Sequence, residues 1–249
     1  MSQRAAGPVE TDLDDLLRES PDPFLRWSIP VDGLLGAWRL GTTVVVAFDR
    51  HPRRAGLWAA VLAAEGYGCE TLEAVPDLLG RAPDWLTTDA HCAGEVPPSW
   101  GLVPTRGWDY MATARPVPVA GGSRVAEVFD PAEVNAVLDA GNADAFARPG
   151  DPAVLGWWGA RDDDGLASVG ALTRTDRGGG HLRAITTLAR ARGRGLATGV
   201  SAALTNAALA DVSAEATLGV YSDNAVAIRM YERLGYRRAH RFVSLRSEP

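Results

Sequence analysis

The stretch His181-Leu182-Arg183-Ala184-Ile185-Thr186-Thr187-Leu188-Ala189-Arg190-Ala191-Arg192-Gly193-Arg194-Gly195-Leu196-Ala197 decides the reading of this chain. From His181 to about Ala189 it has the apolar and β-branched content of a strand. From Leu196 the period changes. Leu196, Val200, Leu204 and Ala208 recur every four residues, the apolar stripe of a helix laid on a sheet, with small alanines that permit close approach. A strand that runs through Arg192-Gly193-Arg194-Gly195 into a helix makes a bowl of backbone N–H groups, because glycines let the chain come close to a ligand. The helix dipole attracts an anion. Arg192 or Arg194 can add bidentate hydrogen bonds, which suit a pyrophosphate better than a single carboxylate. The stretch Arg192, Gly193, Arg194, Gly195, Leu196, Ala197 and Thr198 is therefore expected to bind a phosphorylated cofactor.

Other phosphate binders fit less well. All 25 basic residues are arginine, which removes a P-loop lysine and a Schiff-base lysine. The full GxGxxG of a dinucleotide fold is missing, and no acidic ribose-binding residue stands at a convincing position, so NAD is disfavoured. Arg-Gly-Arg-Gly taken alone reads equally as a solvated turn or an RNA-binding patch. Such patches sit in repetitive disordered segments, whereas this one lies between a strand and an amphipathic helix. A net charge of −6 likewise argues against a general nucleic-acid binder.

The remaining chain reads as two parts, 1–120 and 121–249, since 249 residues suffice for two modest cores. Residues 1–23 are acidic and proline-bearing, a flexible lead with a short helix at Asp12 to Glu19. Thr42 to Phe48 reads as a buried strand and Ala55 to Ala64 as a helix stopped by Gly66. Pro116 to Ser123 reads as a linker. After it come a strand at Arg124 to Phe129, a helix from Pro131 to about Ala140, and strands at Ala153 to Ala160 and Leu166 to Thr173. Asp162-Asp163-Asp164-Gly165 has the composition of a hairpin turn. Downstream, Ala216 to Tyr221 is a strand. A helix capped by Ser222, Asp223 or Asn224 then buries Ala227, Met230, Tyr231 and Leu234 and stops at Gly235, before two closing strands from Tyr236 to Leu245.

Met1 to Asp15 has neither a basic start nor an apolar run, and the longest apolar stretches, such as Leu57 to Ala64, fall far short of the ~20 residues of a bilayer span. No signal peptide or membrane contact is expected. Cys69 and Cys92 form no CxxC pair and lack metal-ligand spacing, so neither a disulfide nor a metal site is expected, and a reducing cytoplasm fits. His91-Cys92 shows no ordered partner that would make the cysteine a nucleophile.

Residues 181–242 resemble the GNAT superfamily of acetyl-CoA-dependent acyltransferases. The pattern Arg/Gln-x-x-Gly-x-Gly/Ala is matched by Arg192-x-x-Gly195-x-Ala197, and Arg190 with Gly193 and Gly195 satisfies it one register earlier. Asn224-Ala225-Val226-Ala227-Ile228-Arg229-Met230-Tyr231-Glu232-Arg233-Leu234-Gly235-Tyr236 resembles the family's Asn-x-x-Ala-x-x-x-Tyr-x-x-x-Gly-Phe signature. The usual proline before the loop is replaced by Ala189. The resemblance implies an α/β (α+β) domain with a mixed, mostly antiparallel sheet flanked by helices. That sheet splays between its fourth and fifth strands to admit the pantetheine arm of acetyl-CoA. A further α/β region would precede it. Thr187, Leu188 and Ala189 would line the arm, a backbone N–H near Leu188 would hold the thioester oxygen, and Asn224 would belong to the cofactor site.

Acyl transfer to an amine needs a deprotonated nucleophile, a donor for the oxyanion and a proton for the departing thiolate. By resemblance Tyr231 supplies that proton; otherwise it is a core aromatic on a buried helix face. Glu127, His181 and Glu215 are weighed as bases, and none is identified. The acceptor is a small-molecule or peptide amine, and a homodimer is admitted with no interface to name. Acyl-CoA binding without turnover and a pure interaction module remain alternatives, because fold does not fix function. Residues 42–64 and Trp100 to Met111 faintly echo the later loop-helix unit and a terminal hairpin, as a degenerate GNAT half without a second cofactor site would.

Overall fold

A computed structural model describes residues 8–50, 56–63, 68–118 and 125–247. The chain divides into two compact units. One comprises residues 1–109 with 221–223 and 240–249, the other residues 110–220 with 224–239. No helix among the described residues is long and apolar enough to cross a membrane.

The first unit holds β1 (Val9–Glu10), α1 (Leu13–Glu19), α2 (Pro23–Ser28), β2 (Leu34–Leu40), β3 (Thr43–Phe48), β4 (Trp58–Leu62), α3 (Val75–Leu79), β5 (Trp85–Asp89), β6 (Leu102–Pro104) and the start of β7 (Trp108–Thr113). The short helix expected at Asp12 to Glu19 is α1, and the rest of the described lead, expected to be flexible, holds β1 and the start of α2; residues 1–7 lie outside the described residues. Asp12 caps α1 through the amides of Asp14 and Asp15, Asp22 caps α2 through those of Phe24 and Leu25, and Leu13, Leu16, Phe24 and Leu25 are buried. Burial of these four apolar side chains offsets the entropy of ordering an otherwise polar segment.

The helix expected over Ala55 to Ala64 is overturned. Trp58–Leu62 is the strand β4, antiparallel to β3 and parallel to β5, and every one of its residues is buried. A central strand covered on both faces has a continuous apolar run, which periodicity alone does not separate from a buried helix. Gly66, expected to end that helix, lies outside the described residues. Cys69 and Cys92, expected to be unpaired, form a disulfide with Cα atoms 5.0 Å apart. It joins the 3₁₀ turn Cys69–Ala74 to the 3₁₀ turn Ala90–Glu95.

The second unit is built from β8 (Val125–Glu127), α4 (Pro131–Gly141), β9 (Val154–Asp162), β10 (Gly165–Arg174), β11 (Gly180–Thr187), α5 (Leu196–Asp211), β12 (Ala216–Tyr221), α6 (Ala225–Arg233) and the start of β13 (Arg237–Ser247). Strands β8 to β11 are successively antiparallel, and β12 lies parallel to β11. Val134, Val137 and Leu138 of α4 pack with Trp157, Val169 and Ala171. Val200, Leu204 and Ala208 of α5 pack with Leu172 and Leu182. Residues 169 and 171 alternate with 170 and 172 along β10, so the two helices cover opposite faces. A Cβ at Gly170 would sit 2.7 Å from Leu204 and 2.9 Å from Ile185, so glycine there sets how closely α5 approaches the sheet.

The antiparallel series β2-β3-β4 followed by parallel β5 repeats the series β9-β10-β11 followed by parallel β12. The topological counterpart of β11 is thus β4 itself, not residues 42–48 as the sequence echo suggested. The two closing strands expected at Tyr236 to Leu245 are one continuous strand, β13, since no glycine, proline or asparagine interrupts Arg237 to Ser247. Its C-terminal residues pair with β5 and β6 in the first unit.

Candidate active site

The register of β11 against β10 changes between Val169↔Thr186 and Ala171↔Arg183, which leaves one extra residue on β11. The extra residue lies at Ala184 or Ile185, and Ala184 has a φ of +54°, the one non-glycine with positive φ among the described residues. Such a bulge bends its strand and increases the local twist. The pairing of β11 with β12 covers Gly180–Leu182 against Ala216–Leu218, and the described register ends where the bulge begins. The sheet therefore splays beyond Leu182, as the family resemblance implies.

Backbone groups turn into this opening. The Leu188 N–H donates to Ala167 O at 2.9 Å, so Leu188 itself does not serve as the oxyanion amide expected in its neighbourhood. Because hydrogen-bonded and non-bonded pairs alternate in an antiparallel ladder, the next pair, Thr187 with Ser168, directs its N–H and C=O groups away from the shared ladder. Thr187 thus offers an amide toward the side from which β12 has diverged. Its carbonyl accepts from Arg192 Nε at 3.3 Å. On the side chains, buried Ser168 Oγ donates to Thr186 O and lies 2.8 Å from Thr187 Oγ1. The single Ser168 proton is engaged, so the Thr187 hydroxyl donates to Ser168 and turns its lone pairs outward.

After β11 the chain makes a 3₁₀ turn, Ala189–Ala191, and then the glycine loop. Gly193 and Gly195 have φ of +76° and +77°, a conformation in which any other residue would be strained, and their Cβ directions face open space. Gly195 is the N-cap of α5 and no side chain caps it. The first hydrogen bond of the helix runs from Gly199 N to Gly195 O, which leaves the amides of Leu196, Ala197 and Thr198 for an anion.

The loop arginines are paired within the chain. Arg192 folds back on Thr187, while Arg190 and Arg194 converge on Asp162 of the β9–β10 hairpin. The Asp162 side chain is 2% exposed. Desolvation opposes its ionisation, but the Asp164 amide and the two guanidinium groups outweigh this and hold its carboxyl below the usual range. Asp162 was legible only as a turn residue; an acid facing a loop 28 residues later has no sequence signal.

Asn224 caps α6 by accepting from the Ala227 amide at 3.2 Å, and Leu234, Gly235 and Tyr236 close the helix through backbone bonds to Met230, Glu232 and Tyr231. Tyr231 is buried in the core beside Val200 and Leu204, with its ring edge-on to Tyr236 at 5.8 Å. Burial pushes its hydroxyl above the ordinary phenol range, and the neighbouring Ser201 hydroxyl opposes that shift. Ser201 Oγ is itself buried and makes no hydrogen bond of good geometry. Tyr236 is fixed instead, its hydroxyl 2.8 Å from Thr205 Oγ1, which donates to Ser201 O.

The three residues weighed as bases are scattered. Glu127 is exposed on β8. His181 is buried, its Nδ1 2.9 Å from Thr217 Oγ1, and stacks on Tyr110. Glu215 precedes β12 and its carbonyl accepts from Ser213. Glu127 borders a groove of about 350 Å³ with Phe129, Asp151 and Trp157, but the groove lies at the β8–β9 margin, two strands from β11. The uncapped α5 terminus and the open directions at Gly193 and Gly195 suit an anionic group such as a diphosphate.

Residues 158–245 match the family model FR47-like protein. No protein of curated function matches the sequence. Among solved structures, a GNAT-family protein from Novosphingobium aromaticivorans is 23% identical, with 85% of this chain and 91% of that one covered and a TM-score of 0.52. A GCN5-related N-acetyltransferase from Kribbella flavida is 20% identical over 86% of this chain and 89% of its own, with a TM-score of 0.52. A GCN5-related N-acetyltransferase from Sphaerobacter thermophilus is 20% identical over 94% and 84%, with a TM-score of 0.51. At these identities the likeness is one of fold, and the chain has the GNAT fold.

Proposed function

We propose that this GNAT-fold chain is an N-acetyltransferase that takes its acyl group from acetyl-CoA and delivers it to an amine of a small molecule or peptide. The observation that carries this reading is the conjunction of a bulged, splayed β11 with an uncapped helix N-terminus directly after it. Acetyl-CoA would supply the activated acyl group as a thioester. The amides of Leu196, Ala197 and Thr198, with the backbone of Gly193 and Gly195, hold the pyrophosphate, and Arg192 and Arg194 complement its charge. Thr187, Leu188 and Ala189 would line the pantetheine arm, with the outward Thr187 amide available to donate to it. Asn224 fixes the start of α6 and so the placement of Tyr231. The Tyr231 Oη, kept protonated by burial, would supply the proton to the departing sulfur. Dependence on acetyl-CoA is our reason for a cytoplasmic setting.

Acyl-CoA binding without turnover is the second reading. It is favoured by the same burial of Tyr231, which widens the gap between its acidity and that of a thiol near 8.5.

Thermal unfolding with and without acetyl-CoA, for the wild type and Gly195→Glu, tests cofactor binding. A saturable rise in Tm in the wild type, lost in Gly195→Glu, supports the loop assignment through linkage. No rise at millimolar acetyl-CoA sinks it. Thiol release on a panel of amines then separates the two readings.

A further inference from the structure

The first unit brings Cys69 to the adjacent pair His91-Cys92, two cysteine side chains and one imidazole. Cys69 and Cys92 are joined as a disulfide, and the two sulfurs and a ring nitrogen of exposed His91 all lie within 4.8 Å of one another. We propose that reduction of this disulfide opens a binding site for a thiophilic divalent metal ion, with Cys69, His91 and Cys92 as ligands and a fourth position open to solvent.

The electron balance is simple. A dithiol delivers two electrons and two protons, the S–S bond breaks, two S–H groups form, and the dithiol closes to its own disulfide. The metal ion then displaces both thiol protons to water and binds two thiolates and a neutral imidazole. Two sulfurs and one nitrogen suit Zn²⁺ or a similar ion, and the lack of oxygen donors disfavours Mg²⁺ and Ca²⁺. With Zn–S bonds near 2.3 Å the sulfurs of a tetrahedral site stand about 3.8 Å apart, so both thiolates must turn apart about their Cα–Cβ bonds.

The backbone is already fixed for this. The Cys69 turn is seated by buried Leu72 and Val75 and by Thr71, which bonds Gly68 O through both its amide and its hydroxyl. The other turn leaves β5, which is held between β4 and β13. Rupture of the S–S bond thus leaves both turns anchored with their Cα atoms near the observed 5.0 Å. Metal and disulfide exclude each other, so occupancy follows the thiol redox state.

The full chain, reduced with a phosphine that leaves as its oxide and then freed of it without air, is titrated with Co²⁺ while the thiolate-to-cobalt charge-transfer absorption is followed. One Co²⁺ per reduced chain, displaced by Zn²⁺, is expected, with no band from the oxidised protein. Cys69→Ser and Cys92→Ser should lose the band, and His91→Ala should weaken binding about tenfold or more. The proposal is overturned by a reduced wild type with two titratable thiols but no band, by a band that survives either serine variant, or by an unaltered affinity in His91→Ala. A disulfide that resists reduction in the folded chain overturns it too. Circular dichroism of each variant confirms that loss of the band is not loss of fold.

Discussion

The buried carboxylate of Asp162 is bridged to the guanidinium of Arg190, so the hairpin between β9 and β10 grips the loop that leads into α5. Arg194 reaches the same carboxylate at 3.3 Å. Two of the three loop arginines are therefore held by an internal anion at the place where an external one is proposed to bind.

Replacing that internal anion should have two opposite effects. In Asp162→Asn the paired guanidinium groups lose their counter-charge, and the Tm of the ligand-free protein should fall. A negative charge no longer competes with pyrophosphate, so acetyl-CoA should bind more tightly at low salt, with the gain shrinking as salt rises. A thermal melt of the ligand-free protein reads the first effect, and calorimetric titration with acetyl-CoA at two ionic strengths reads the second. Unchanged Tm together with unchanged affinity would remove Asp162 from the site.

Tyr231→Phe tests the proton donor. Loss of general-acid assistance lowers kcat by about 100-fold or more, while the Kd for acetyl-CoA should stay within about twofold because the ring is retained. A hydroxyl kept protonated by burial also predicts that the acid-to-neutral pH profile of kcat is set by other groups. Full kcat in Tyr231→Phe would show that the residue is a core aromatic only.

His240 predicts how stability varies with pH. Its Nε2 is 2.6 Å from Asp22 Oδ2 and its Nδ1 is 3.0 Å from Asp89 Oδ1, in a cage with Phe24 and Phe242. Burial works to lower its pKa, and the two carboxylates outweigh burial and push it up to about 9. A pKa raised above the unfolded value of about 6.5 stabilises fully below pH ~6.5, and the contribution is lost as pH rises through about 9. For Asp22, burial opposes ionisation, yet His240 and the α2 amides hold its carboxyl below the usual range. Its contribution is present above about pH 4 and fades as the pH falls. Denaturant unfolding should therefore show stability declining from pH 6 to 9.5 by at most about 3 kcal/mol from this site. His240→Gln should flatten that decline; an equally steep decline in the variant would refute the assignment.

Much of the second unit was legible in the sequence because each of its elements carries a local device. The four-residue stripe from Leu196, the cap among Ser222, Asp223 and Asn224, and the Gly235 stop each act within one or two turns of chain; the structure places α5 and α6 where those signals do and selects Asn224 as the cap. The hairpin at Asp162 to Gly165 was equally local. The first unit misled where local signals are degenerate, as in the apolar run Leu57 to Ala64, which suits helix and central strand alike.

What the sequence by itself determined is thus the elements whose hydrogen bonds close on near neighbours, together with the glycines whose positive φ shapes the loop at Gly193 and Gly195. Only the tertiary structure decided that β4 is a strand, that Cys69 meets Cys92 and His91, that Asp162 holds Arg190, and that β11 bulges at Ala184 or Ile185. The reason is physical. Each of these depends on a partner strand or turn brought close by burial of a shared core, and a pairing made through space leaves no period or cap in either segment alone.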